Sequence, residues 1–106
     1  MEARKIIITG GATRIGAAIA EKLAGPNIEI TIHFNKSKSK AESLSKKLKR
    51  LGSKVYLVSA DLSKEKGIQK VIKFSKLKMK FFDCLIFMNT LDMIILIFLQ
   101  LHKFQN

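Results

Sequence analysis

Cysteine occurs once, at Cys84, which rules out an internal disulfide and any cysteine-rich zinc site, so packing alone must hold the fold. A single proline, Pro26, in a chain that is 47% hydrophobic is the composition of a folded domain rather than a disordered tail, and 106 residues suffice for one small domain or part of one. Histidine is limited to His33 and His102, far apart and without an acidic or cysteine partner at ligand spacing, which argues against a metal site. The apolar run that leads into Thr9-Gly10-Gly11 is too short for a signal-peptide core, so a cytoplasmic location is expected. Acidic side chains are also scarce, eight against twenty Lys and Arg. The imbalance lies in residues 1–80, with 19 basic and 6 acidic groups, whereas residues 81–106 hold one Lys and two Asp.

A net charge of +12 raises the question of an anionic partner. The lysines at 36–54 and 64–80 sit opposite apolar stripes, where a solvated helix face is expected, and no recognition-helix motif accompanies them, so a nucleic-acid module is the weaker reading. From Phe81 to Leu101, 16 of 21 residues are apolar, the length of a bilayer span. Asp83 and Asp92 interrupt that run, each at a cost of roughly 2.5–3.5 kcal/mol near a membrane centre, which disfavours a membrane anchor. Met93–Leu99 remains open as a buried strand, a helix or an aggregation-prone segment.

Along the chain, β-branched runs alternate with helical periodicity. Strands are expected at Lys5–Thr9, Ile28–Phe34, Lys54–Ser59 and Asp83–Phe87. A first helix from Arg14 to Ala24 carries a stripe of Ile15, Ala18, Ile19 and Leu23 and ends at Gly25-Pro26. A second carries Ala41, Leu44, Leu48 and Leu51, and a third, capped by Ser63, turns Ile68, Val71, Ile72 and Met79 inward. Three strand-helix alternations with short connections predict a parallel α/β sheet with crossover helices, left with an edge strand through which chains could associate.

The loop Thr9-Gly10-Gly11-Ala12-Thr13-Arg14-Ile15-Gly16 joins the first strand to the first helix. Glycines there permit a sharp turn and close approach of a ligand, and a helix N-terminus attracts phosphate. A triphosphate loop would need Lys and Ser or Thr after its last glycine, but Gly16 is followed by Ala17-Ala18, and the spacing of Gly10, Gly11 and Gly16 also departs from GxGxxG. A glycine turn serving strand-to-helix geometry alone is the plain alternative.

TGGATRIG resembles the TGxxxGxG loop of the short-chain dehydrogenases and reductases, in the variant with Arg14 at the middle glycine that pteridine-reductase-like members carry. ITIHFNKS (30–37) and Ala60-Asp61-Leu62 continue the resemblance over residues 4 to about 86. The resemblance implies the N-terminal part of a Rossmann-like doubly wound parallel sheet, about four strands and three helices, incomplete and followed by a hydrophobic tail. It divides the chain into an NADP-binding part, 1–86, and a divergent part, 87–106.

It also implies that Gly10, Thr13, Arg14, Ile15 and Gly16 line a pyrophosphate, that Asp61 and the Leu62 backbone meet an adenine, and that His33, Asn35, Lys36 and Ser37 surround the adenosine ribose. Asp61 could instead only cap the turn before the third helix. No acid follows the second strand until Glu42, and Lys36, Ser37 and Lys38 can neutralise a 2′-phosphate, so NADP(H) is the expected cofactor; a solvated helix start is the plain reading of Lys36, Lys38 and Lys40. The implied substrate is a dihydropterin or dihydrofolate. The family's YxxxK pair is absent: Tyr56 is the only tyrosine and Ala60 stands four residues on, so this chain is expected to hold cofactor without turnover. Phe87-Met88-Asn89-Thr90 stands where an Asn-Asn-Ala-Gly segment belongs, and a reading frame shifted near codon 87 is the expectation that follows.

Overall fold

A computed structural model describes residues 3–80, 84–88 and 94–98. The elements run β1 (Arg4–Ile8), α1 (Arg14–Leu23), β2 (Ile28–Phe34), α2 (Lys38–Arg50), β3 (Lys54–Ser59), α3 (Glu65–Met79), β4 (Cys84–Met88) and β5 (Ile94–Phe98). They form one sheet in the order β3-β2-β1-β4-β5. The first four strands are parallel, with Ile6 opposite Ile30 and Cys84, and Ile32 opposite Leu57. β5 departs from the expected all-parallel sheet: it runs antiparallel to β4, Ile86 facing Leu96. Asp83, Asn89, Asp92, Met93 and Leu99, singled out in the sequence, lie outside the described residues.

The triple isoleucine of β1 explains its central place. Alternation sends Ile6 and Ile8 to one face and Ile7 to the other, and a strand with apolar side chains on both faces is buried by helices on both. On the first face Ile6, Ile8, Ile30 and Ile32 meet Ala20 of α1 and Leu44 and Leu48 of α2. On the second, Ile7 and Val58 meet Val71 and Met79 of α3. The chain therefore moves outward from β1 to β3 with helices on one side, then returns past β1 to β4 with a helix on the other. That reversal creates a crevice beyond the carboxyl ends of β1 and β4, the position where open α/β sheets bind ligands.

Three helix details differ from the periodic reading. In α1 the buried residues are Gly16 and Ala20, while Ile15 and Leu23 are 38% and 39% exposed and Ala18 is exposed. The small pair lets the helix lie close on the loop and sheet, and close approach decides its rotation over side-chain hydrophobicity. Ile68 and Leu51, expected inside, are likewise exposed, each at a helix end. Ser63 does not cap α3; Lys64 holds the cap position, and Ser63 is drawn into a turn with Asp61. An ion pair between Glu21 and Lys47 links α1 to α2 at the surface. No helix of the described residues is long and apolar enough to cross a membrane.

Candidate functional site

The three loops after β1, β2 and β3 open on the same edge of the sheet because the strands are parallel. Gly10, two residues beyond β1, has φ +63°, a left-handed conformation that favours glycine. Its carbonyl accepts from the Thr13 amide (3.0 Å) and the Thr13 hydroxyl (2.7 Å). The same hydroxyl oxygen accepts from the Gly16 amide at 3.1 Å, making Thr13 the side-chain N-cap of α1. Ala17 donates to the Thr13 carbonyl at 2.8 Å. With Gly16 and Ala17 satisfied, the first-turn amides of Arg14 and Ile15 are the donors left for an anion.

Gly16 is required by contact. A Cβ there would overlap the Gly10 carbonyl oxygen and come within 2.9 Å of the Gly11 Cα. Thr13→Ala removes both the cap and the hydroxyl tie to Gly10, and a loss of about 1 kcal/mol is expected in urea unfolding of the full chain; unchanged stability would show that the tie carries no weight.

The loop after β2 places Asn35, Lys36 and Ser37 in solvent, beside the start of α2. An open groove of about 390 Å³ lies between α1 and α2 next to the glycine loop, lined in part by Thr13, Arg14, Ser39 and Lys40. Ser39 carries no motif signal and Lys40 reads only as part of a solvated helix start; the packing of α2 against α1 brings both beside Arg14.

In the loop after β3, Asp61 is exposed, and one of its carboxylate oxygens accepts from the Ser63 hydroxyl (2.6 Å) and the Ser63 amide (2.9 Å). Those hydrogen bonds hold its carboxyl below the ordinary value. The turn-capping role anticipated for Asp61 is therefore present. Leu62 is half-buried and packs toward the α3 core.

His33 differs from its neighbours in the motif, being 5% exposed. Its Nδ1 accepts from the Gly10 amide at 3.0 Å and its Nε2 lies 2.8 Å from the Ala60 carbonyl. The ring thus spans the loops after β1 and β3. Tyr56 stands within β3, its hydroxyl donating to Glu29 at 3.4 Å, and burial with the Glu29 charge raises its pKa. It lies in the strand, away from the loops.

A parallel sheet with a helix reversal at β1, a glycine turn feeding a helix N-terminus, and two further loops on the same edge define a Rossmann-like α/β fold. The family profile described as short chain dehydrogenase matches residues 4–94, and the chain belongs to that family. Glucose 1-dehydrogenase 2 of Bacillus subtilis (strain 168) is 35% identical over 66 residues, which cover 62% of this chain and 26% of that enzyme. A putative dehydrogenase from Burkholderia cenocepacia with bound NADP superposes with TM-score 0.76 at 26% identity, covering 81% of this chain and 34% of that one. An NADH-dependent reductase, A1-R′, complexed with NAD superposes with TM-score 0.73 at 25% identity, covering 81% of this chain and 36% of that one. The chain thus spans about a quarter to a third of the length of these relatives.

Proposed function

We propose that this chain binds NADP(H) as the cofactor-holding part of a short-chain reductase. The observation that carries the reading is the glycine loop itself: Gly10 in a left-handed turn, Gly16 packed on its carbonyl, and the first-turn amides of Arg14 and Ile15 left as donors. Such a cradle fits a pyrophosphate, and Thr13 fixes its shape. Asp61 and the Leu62 amide would meet the adenine, Asp61 with the carboxylate oxygen that Ser63 does not occupy. A bound NADPH supplies a hydride; this chain's residues bind and orient it.

The preference for the phosphorylated cofactor rests on charge. Lys36, Ser37 and Lys38 follow β2 with Asn35 where NAD-selective relatives of this fold carry an acid, and Arg14 and Lys40 line the adjoining groove. A dihydropterin or dihydrofolate is the substrate class that Arg14 and the HFNKS segment favour for the reductase as a whole. The division into a nucleotide part, 1–86, and a hydrophobic part, 87–106, belongs to the same reading and rests on the change in charge near residue 80.

Titration of the full chain with NADPH and with NADH, followed by nicotinamide fluorescence, tests the cofactor assignment. NADPH is expected to bind more tightly, and Lys36→Glu to weaken NADPH by about tenfold or more, the equivalent of one charge-assisted hydrogen bond. Equal affinity for the two nucleotides in both proteins would overturn the selectivity, and no binding of either would overturn the reading.

A further inference from the structure

We propose that His33 is the positioning residue of the nucleotide site: its neutral ring, protonated on Nε2 alone, ties the glycine loop to the loop after β3, and a second proton releases the glycine loop. The pH-coupled affinity that follows rests on the nucleotide reading above; the tie itself does not.

The tautomer is dictated by the backbone. The Gly10 amide can only donate, so Nδ1 must present its lone pair at 3.0 Å; the Ala60 carbonyl can only accept, so Nε2 must carry the proton at 2.8 Å. Both ring nitrogens are thereby used by groups 23 and 27 positions away in the chain. An imidazolium carries a proton on both nitrogens and would set one N–H against another at Gly10. His33 is buried, so water has little room to replace the lost acceptor.

The effect at Gly10 has a defined route into the site. The Gly10 carbonyl holds the Thr13 amide and hydroxyl, and that hydroxyl holds the Gly16 amide. The amide that His33 holds lies in the Thr9–Gly10 peptide and the carbonyl in the Gly10–Gly11 peptide, so a shift of the first reaches the cap of α1 through the Gly10 Cα that joins them. The Gly11 amide still donates to the His33 carbonyl at 3.0 Å, a backbone bond that protonation leaves intact. The loop is thus expected to tilt about Gly11 rather than detach.

Burial lowers the pKa of His33 below 6.5, opposed by the Ala60 hydrogen bond. The charged groups at the loop end of the sheet that His33 joins are Arg14, Lys36, Asp61 and Lys64, and Glu21, Lys22, Arg4, Lys5, Glu29 and Lys54 lie further along the neighbouring elements; the shift arises from burial and Ala60, and Asp61 is engaged by Ser63. A folded-state value below the unfolded one means that the unfolded chain binds more protons between the two. The contribution of His33 to stability is therefore complete above about pH 6.5 and is lost as pH falls through the lowered pKa. Nucleotide affinity follows the same sign, because the neutral ring holds the competent loop.

Nitrogen-15 NMR of the full chain without nucleotide tests the tie directly. At pH 7.5 the ring is expected as the Nε2–H tautomer, with the Gly10 amide slow to exchange, and on acidification the Gly10 resonance should move with the same midpoint as the ring. An Nδ1–H tautomer, or a Gly10 amide indifferent to the ring's titration, would overturn the proposal. His33→Asn offers an oxygen acceptor that does not titrate, so Gly10 should stay protected across the range; His33→Leu should leave it unprotected at every pH.

For NADPH, wild-type affinity should fall about tenfold per pH unit below the midpoint, beyond the decline in His33→Asn, which retains only the dependence due to the 2′-phosphate. Matching pH profiles in the two proteins would refute the coupling to binding. Absence of NADPH binding at every pH would refute the nucleotide reading and with it the pH-coupled affinity, while the tie between His33 and Gly10 is decided by the amide alone.

Discussion

Gly67→Ala is expected to destabilise the chain by about 1–3 kcal/mol, although replacing a helical glycine by alanine ordinarily gains up to about 1 kcal/mol. The sign is reversed by a backbone contact. A Cβ on Gly67, in the first turn of α3, would overlap the Asp61 carbonyl oxygen and lie 2.7 Å from its carbon and 3.2 Å from the Asp61 nitrogen. Asp61 has little freedom to move away, since its carbonyl accepts from the Lys64 amide at 3.3 Å and its carboxylate holds Ser63. The start of α3 or the Asp61 loop must shift. Urea unfolding of the full chain decides the matter: a midpoint raised relative to wild type would mean that α3 does not sit against this loop. The shift should also loosen the adenine side of the proposed nucleotide site, a weakening that fluorescence titration would read separately.

Gly16→Val is the second large effect, and it bears on the proposed pyrophosphate side. The added carbon would overlap the Gly10 carbonyl oxygen that Thr13 holds, and neither the loop nor α1 can yield without breaking the cap. NADPH binding is expected to fall by about thirtyfold to seven-hundredfold, equivalent to the 1–3 kcal/mol of overpacking together with the cap worth about 1 kcal/mol. Ala18→Val provides the comparison, because Ala18 is exposed on the same helix and can accept the same side chain. Equal binding by the two variants would remove Gly16 from the site.

The strands were legible because their signal is local: β-branched runs such as Ile6-Ile7-Ile8 and Ile28–Phe34, bounded by glycine or asparagine, leave few alternatives. The order of the sheet followed from connection rules. Antiparallel β5 was open in the sequence because MIILIFL has no alternation to distinguish a strand from a buried helix.

The rotation of α1 was misjudged for a specific reason. Periodicity ranks Ile15 and Leu23 above Gly16 and Ala20, whereas the helix turns its smallest residues toward the loop it must touch. At the site, the glycine loop and Asp61 were visible as motifs, but the partners of His33 were not. A residue whose two contacts lie on other strands has no local signature, and His33 therefore read as a ligand contact among exposed neighbours. Ser39, Lys40 and Gly67 were hidden for the same reason, each depending on which element packs beside it.

The central position of β1 also governs the order in which the chain can assemble. One side of β1 pairs with β2 soon after it is made, but the other waits for β4, whose Ile86 accepts from the Thr9 amide across 77 positions of sequence. At synthesis rates of roughly 5–20 residues per second, that edge stays open for about 4–15 s. Through that interval the strand with three consecutive isoleucines offers a row of unpaired amides and carbonyls to any neighbouring nascent chain, a hazard that comes from strand order and is set by translation speed.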